Sequence, residues 1–130
     1  MIYFTKTLSV EQCRKYPDYT FVFGDNMQQK GKAGQAVIRN EPNAFGIPTK
    51  LAPCMEPGCF FSDQKDEYIH VRALLEKLFH MHEAERVIVL PEDPIGSGMA
   101  KLNENSPQIW AMIQDFYSWA KGVDSGILPE

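Results

Sequence analysis

The sequence predicts an α/β fold: a three-layer α/β/α sandwich built around a mostly parallel sheet. Short β-branched and aromatic runs alternate along the chain with stretches of helical period, the pattern of strands joined by crossover helices. The apolar run at 86–90 is continuous, as expected for a strand covered on both faces. Two glycine-rich loops each follow a short apolar run, where the strands of such a sheet would end.

The elements follow in order. Residues 2–5 form the first predicted strand, and Ser9 is placed to cap a short helix that runs through Lys15 and stops before Pro17. Residues 20–23 form the second strand. Residues 34–40 leave room for two helical turns, begun by the glycine loop and ended by Pro42. Residues 44–48 are the third strand. A long irregular loop at 49–61, with Pro53, Pro57 and Gly58, is of the kind that covers a site. Ser62 is expected to cap a long helix whose first turns carry Asp63, Asp66 and Glu67, which suits the positive end of the helix dipole. Val71, Leu74, Leu75, Leu78 and His82 mark its buried stripe. After the strand at 86–90, Ser106 and Pro107 signal the last helix. Ile109, Ile113, Phe116, Tyr117 and Ala120 line its apolar face, and Gly122 ends it. The expected organisation is a single domain over residues 1–122 with a loosely held tail at 123–130.

Composition narrows the function classes. The 130 residues are 44% hydrophobic and 23% charged, ordinary values for a globular domain with one sizeable core. A net charge of -4 argues against a dedicated nucleic-acid surface, although Lys30, Lys32, Arg39 and Lys50 gather in or beside the first loop region. No run approaches the ~20 apolar residues of a membrane span, so no membrane partner is expected and the reading is cytoplasmic. Three cysteines, Cys13, Cys54 and Cys59, lack Cys-x-x-Cys spacing and are expected as free thiols. No metal site is expected: His80 and His82 fall on different helix faces, and no cofactor is implied.

The loops carry the chemistry. Gly31 and Gly34 stand just before the short helix, where free backbone N–H groups form a site for a diphosphate, flanked by Ala33, Gln35 and Ala36. In the second loop, Gly96, Ser97, Gly98 and Met99 can approach the same anion from the other side. Neither loop matches a P-loop or Gly-x-Gly-x-x-Gly. Asp25 and Asn26, at a strand exit, can receive ribose hydroxyls or close an Asx-type turn. Gln35 reads either as a loop-stabilising amide or as a sugar ligand. Thr49 and Lys50 end the third strand at the same sheet edge, and Lys50 can neutralise a phosphate, deliver a proton or simply be solvated. Glu92 and Asp93 can place a carboxylate at the rim.

Taken with Gly24-Asp25-Asn26, Gly34-Gln35-Ala36, the run from Pro42 through Gly46-Ile47-Pro48-Thr49-Lys50, and Gly96-Ser97-Gly98-Met99-Ala100-Lys101-Leu102, the chain resembles the macro domain superfamily. These are α/β/α modules that bind ADP-ribose and its derivatives, and the nearest likeness is to an uncharacterised bacterial and phage subgroup. The resemblance implies that Asn26 meets the distal ribose and that the two glycine loops straddle the diphosphate. In superfamily members that remove ADP-ribose from glutamate or from DNA bases, a lysine ending the central strand and an aspartate in the second loop act together. Lys50 is similar to that lysine. Ala100 occupies the aspartate's place, which leaves Asp25 or Asp93 to substitute for it. The resemblance thus implies a protein that takes an ADP-ribose-like molecule or an ADP-ribosylated substrate. Two readings stay open: an ADP-ribosyl hydrolase using Lys50 and Asp25, or a non-catalytic accessory protein that sequesters a nucleotide signal or docks on a protein partner.

Overall fold

Five strands, β1 (Ile2–Thr5), β2 (Thr20–Asn26), β3 (Ala44–Lys50), β4 (Ile88–Pro91) and β5 (Ser125–Ile127), make one sheet in a computed structural model that describes residues 1–129. The order is β3-β2-β4-β1-β5, and every pairing is parallel. Four α-helices accompany it: α1 (Val10–Lys15), α2 (Lys65–Glu83), α3 (Leu102–Asn105) and α4 (Pro107–Gly122). Two 3₁₀ segments, Gly34–Ile38 and Pro57–Cys59, complete the regular structure. The expected α/β class with a parallel sheet is what the chain adopts.

Alternation along the strands divides the core in two. Ile2, Val22, Ile47, Ile88 and Leu90 face α2 and α4, where they meet Val71, Leu75, Leu78, Ile109 and Ile113. Phe21, Phe23 and Val89 face the other way, against Leu8, Cys13 and Ile38 beneath α1 and the first 3₁₀ segment. Both sheet faces are thereby covered, as a parallel sheet requires.

The middle of the sheet positions the site. β2 pairs with β4 only through Thr20–Ile88 and Phe21–Val89, whereas its ladder with β3 continues to Asn26 and Lys50. Beyond Phe21, β2 and β4 separate. From β2 the chain moves outward to β3, and from β4 it moves to β5 on the opposite side of the sheet. Loops that leave two neighbouring strands in opposite directions open a crevice between them.

Several expectations are corrected. β2 and β3 run past their predicted ends, because the ladder places Asp25 opposite Pro48 and Asn26 opposite Lys50. The segment at 34–40 makes only the 3₁₀ segment Gly34–Ile38. Ser62 does not cap the long helix: α2 starts at Lys65, and the Glu67 carboxylate receives the Ser62 and Gln64 amides at 2.9 and 3.0 Å. Asp63 serves a different helix. Its carboxylate accepts from the Gln108 and Ile109 amides of α4 at 2.9 and 3.0 Å, while its own amide donates to Ser106 Oγ. Ser106 precedes α4 as expected, but the capping oxygens come from Asp63. The segment expected as a loose tail supplies β5, which pairs with β1 and brings Leu128 into the core. Cys54 and Cys59, expected as free thiols, are joined in a disulfide across the Pro57-Gly58 turn with Cα atoms 5.7 Å apart. Cys13 remains a free, buried thiol, pushed up to about 11 by burial and then by Glu41, so it is a core residue rather than a nucleophile. Among the described residues no helix is long and apolar enough to cross a membrane, and no cluster of metal-ligating side chains is present.

Candidate functional site

A cavity of about 440 Å³ lies at the carboxyl ends of β2, β3 and β4, within the range of small-molecule sites. Asp25, Asn26, Gly31, Ala33, Gly34, Gln35, Ala36, Thr49, Lys50, Gly96, Gly98 and Met99 all line it, so the two glycine loops do share one space. Ser97 is exposed and does not line it. Glu92 and Asp93 are exposed and also lie outside the lining.

The first loop is braced from within. Asn26 Oδ1 accepts from the Gln28 and Lys30 amides at 3.1 and 3.4 Å, and Asn26 Nδ2 donates to the Lys30 carbonyl at 2.9 Å. Asn26 therefore closes a turn, with one Nδ2 hydrogen left for a ligand. Asp25 is buried and tied by one carboxylate oxygen to its neighbour's amide and to the Arg39 guanidinium. Arg39 also donates to the carbonyls of Lys30 and Gly31. A carboxylate held in this way is a structural anchor for the loop, and the fork geometry of arginine lets one side chain meet all three acceptors.

Gln35 links the two loops. Its Oε1 receives the Gly24 amide at 2.8 Å, where β2 has parted from β4 and a ladder partner is missing, and its Nε2 donates to the Asp93 carbonyl at 3.3 Å. Of its two sequence readings, the loop-stabilising amide is the one the contacts describe. Thr49, also buried, donates from its hydroxyl to the Asp25 carbonyl at 3.3 Å.

The second loop turns sharply on Gly96. Its φ is +83°, and a Cβ there would fall 2.2 Å from Leu102 Cδ1, so neither the turn nor the packing of Leu102 admits a side chain. Ile95 and Leu102 bury on either side of this turn and fix the loop to the core. Among the described residues, the amides of Gly34 and Gln35 in the first loop, and of Gly98, Met99 and Ala100 in the second, donate to no protein acceptor. These are the donors an anion in the cavity can use.

Lys50 ends β3 and lines the same cavity, yet only 9% of its surface is exposed. Its ammonium donates to the Cys54 carbonyl, lies 3.5 Å from Met55 Sδ and stands 4.9 Å from the centre of the Phe60 ring. No carboxylate pairs with it among the described residues, and burial lowers its pKa below the usual lysine value. A cation held by a carbonyl, a thioether and an aromatic face retains an unneutralised charge beside the cavity. At the place where the resemblance calls for an aspartate, Ala100 lines the wall and brings no acid.

Sequence reasoning missed the roles of Arg39, Pro53, Met55 and Pro94. Arg39 was visible only as one of several local cations. Its position at the end of the 3₁₀ segment, facing a buried aspartate, depends on a turn that no periodicity announces. Pro53, Met55 and Pro94 come from irregular loops and carried no signal beyond their location.

No curated protein and no solved structure matches the chain. The sequence model of a family of unknown function, DUF7831, matches residues 3–116, and the chain belongs to that family.

Proposed function

We propose that the cavity binds ADP-ribose or a related NAD-derived nucleotide, with the diphosphate lying between the first loop at 31–36 and the second at 96–99. The observation that carries this reading is the pair of loops whose unpaired amides border one cavity beside an ammonium that has no carboxylate partner. In a chain of net charge -4, such a concentration of donors and positive charge favours an anionic ligand.

Binding without turnover is the reading the geometry favours over ADP-ribosyl hydrolysis. Asp25, the carboxylate nearest to hand, is engaged by Arg39, and Ala100 leaves the second loop without an acid. A general acid or base commonly contributes ~10²–10⁴-fold, so hydrolysis here would depend on Lys50 and bound water. Sequestration of a nucleotide, or recognition of an ADP-ribosylated partner, needs no such group.

Calorimetric titration with ADP-ribose, NAD and ADP tests the proposal. Saturable heat with at least one of them is expected, and its absence with all three would overturn the nucleotide reading. Incubation with ADP-ribosylated protein and DNA then separates the two activities: release of ADP-ribose that disappears in Lys50→Ala identifies a hydrolase, and tight binding without release identifies a sequestering module.

A further inference from the structure

Residues 51–60 fold back over the end of β3 as a strap. One end is well fastened: the Leu51 and Ala52 amides donate to the Cys59 carbonyl at 2.9 and 3.4 Å, and Phe60 pairs antiparallel with Lys50. The opposite arm is not. Among the described residues, 53–55 make no backbone–backbone hydrogen bond at all. Two things hold that arm down, the Cys54–Cys59 disulfide and the contacts of Cys54 and Met55 with the Lys50 ammonium. The same arm supplies Pro53 and Met55 to the cavity wall, and a Cβ on Gly31 of the first loop would lie 3.6 Å from Pro53 Cβ.

We propose that Cys54–Cys59 is a redox latch on the cavity. When oxidised, it keeps the arm seated on Lys50 and fixes the wall that Pro53 and Met55 form. When reduced, it frees the arm and uncovers the Lys50 amine.

The chemistry is thiol–disulfide exchange with a dithiol reductant. Cys54 is half-buried on an exposed strap whereas Cys59 is buried, so the attacking thiolate reaches Cys54 Sγ. The bond between the two sulfurs breaks, and Cys59 Sγ leaves as a thiolate that takes a proton from water. The second thiol of the reductant, deprotonated, then attacks its own sulfur in the mixed disulfide, releasing Cys54 as a thiolate that is protonated in turn. The reductant ends as a disulfide and the protein as a dithiol. Lys50 changes neither bonds nor oxidation state. It loses the carbonyl and thioether that cover it, and a lysine freed from such partners becomes available to electrophiles.

The test needs no nucleotide, so its failure is distinct from failure of the binding proposal. The full chain is equilibrated with oxidised glutathione or with dithiothreitol, and free thiols are counted by alkylation under denaturing conditions. Labelling of Lys50 by limiting acetic anhydride is then followed by peptide mass spectrometry, with Lys6 and Lys121 as internal references. The expected result is Cys13 alone alkylated in the oxidised chain, and a several-fold faster labelling of Lys50, but not of the reference lysines, in the reduced chain. The Cys54→Ser/Cys59→Ser double variant should label like the reduced chain under both conditions. Equal Lys50 labelling in the oxidised and reduced chains, or failure of Cys54 and Cys59 to pair under the oxidant, would overturn the proposal.

Discussion

Arg39 donates to the Asp25 carboxylate from the far side of the first loop and to the carbonyls of Lys30 and Gly31 within it. One ion pair, between the buried Asp25 and a half-buried Arg39, thus ties the end of β2, the loop and the 3₁₀ segment into a single unit. The shape of the first loop depends on this pair before any ligand arrives.

Removing one partner leaves the other charge buried and unpaired. Arg39→Ala should therefore cost about 3 kcal/mol in urea unfolding, and Arg39→Lys, which keeps the charge but loses the fork, should recover only part of it. A loss below about 1 kcal/mol, the usual worth of an exposed pair, would show that the interaction is effectively solvated.

Lys50→Met tests a different kind of charge. The substitution removes a desolvated ammonium and keeps most of the volume, so stability at neutral pH should change by less than about 1.5 kcal/mol. Nucleotide affinity should fall ~10–100-fold, corresponding to one charge-assisted hydrogen bond. Because burial lowers the folded-state pKa of Lys50 below its unfolded value, the unfolded chain binds the proton more tightly. Wild-type stability relative to Lys50→Met should therefore rise as pH climbs from the folded value toward the ordinary lysine value, while anion affinity falls over the same window. Denaturant titrations of both proteins from neutral to alkaline pH measure the first effect and calorimetry the second; opposite slopes would refute the assignment.

Backbone conformation at Gly34 separates shape from space. A Cβ there meets nothing within 4 Å, but φ is +60°. Gly34→Asn, which tolerates the left-handed region, should preserve binding. Gly34→Val should cost about 1–2 kcal/mol and abolish it, because relaxation of the backbone would turn the Gly34 and Gln35 amides. Equal affinity in the two variants would mean that these amides do not contact the ligand.

The capping of α4 by Asp63 has a simple test. Asp63→Ala should lower stability by about 1–2 kcal/mol, whereas Ser62→Ala should be within about 0.5 kcal/mol of wild type, as for a surface change. Thermal melts of the two variants check the difference. If Ser62→Ala proved the more damaging, Ser62 would be the true cap of α2.

The fold was largely legible because its signals are local. The apolar run at 86–90, which forms β4 from Ile88, the helical stripe through Val71, Leu75 and Leu78, and the Ser9 cap of α1 all act within a few residues. Two of the errors fell where a partner lies far away in sequence, Asp63 with the start of α4 and β5 with β1; a third, Cys54 with Cys59 five residues on, fell in an irregular turn whose shape no periodicity announces. In the site, the glycine loops and the lysine ending β3 were readable from turn chemistry and strand position. Whether their side chains were free or already engaged was not.

The sequence by itself determined an α/β chain with a parallel sheet, and two glycine loops that leave strands at its carboxyl edge, because hydrophobic period and turn chemistry are properties of adjacent residues. Only the tertiary structure decided that β2 and β4 part after Phe21, that Asp25 is tied to Arg39 and Asn26 keeps only one Nδ2 hydrogen beyond the bonds that brace its own loop, and that Lys50 lies under a disulfide-closed strap without a carboxylate. Burial and pairing depend on which distant groups come within hydrogen-bond distance, and that is settled when the layers pack.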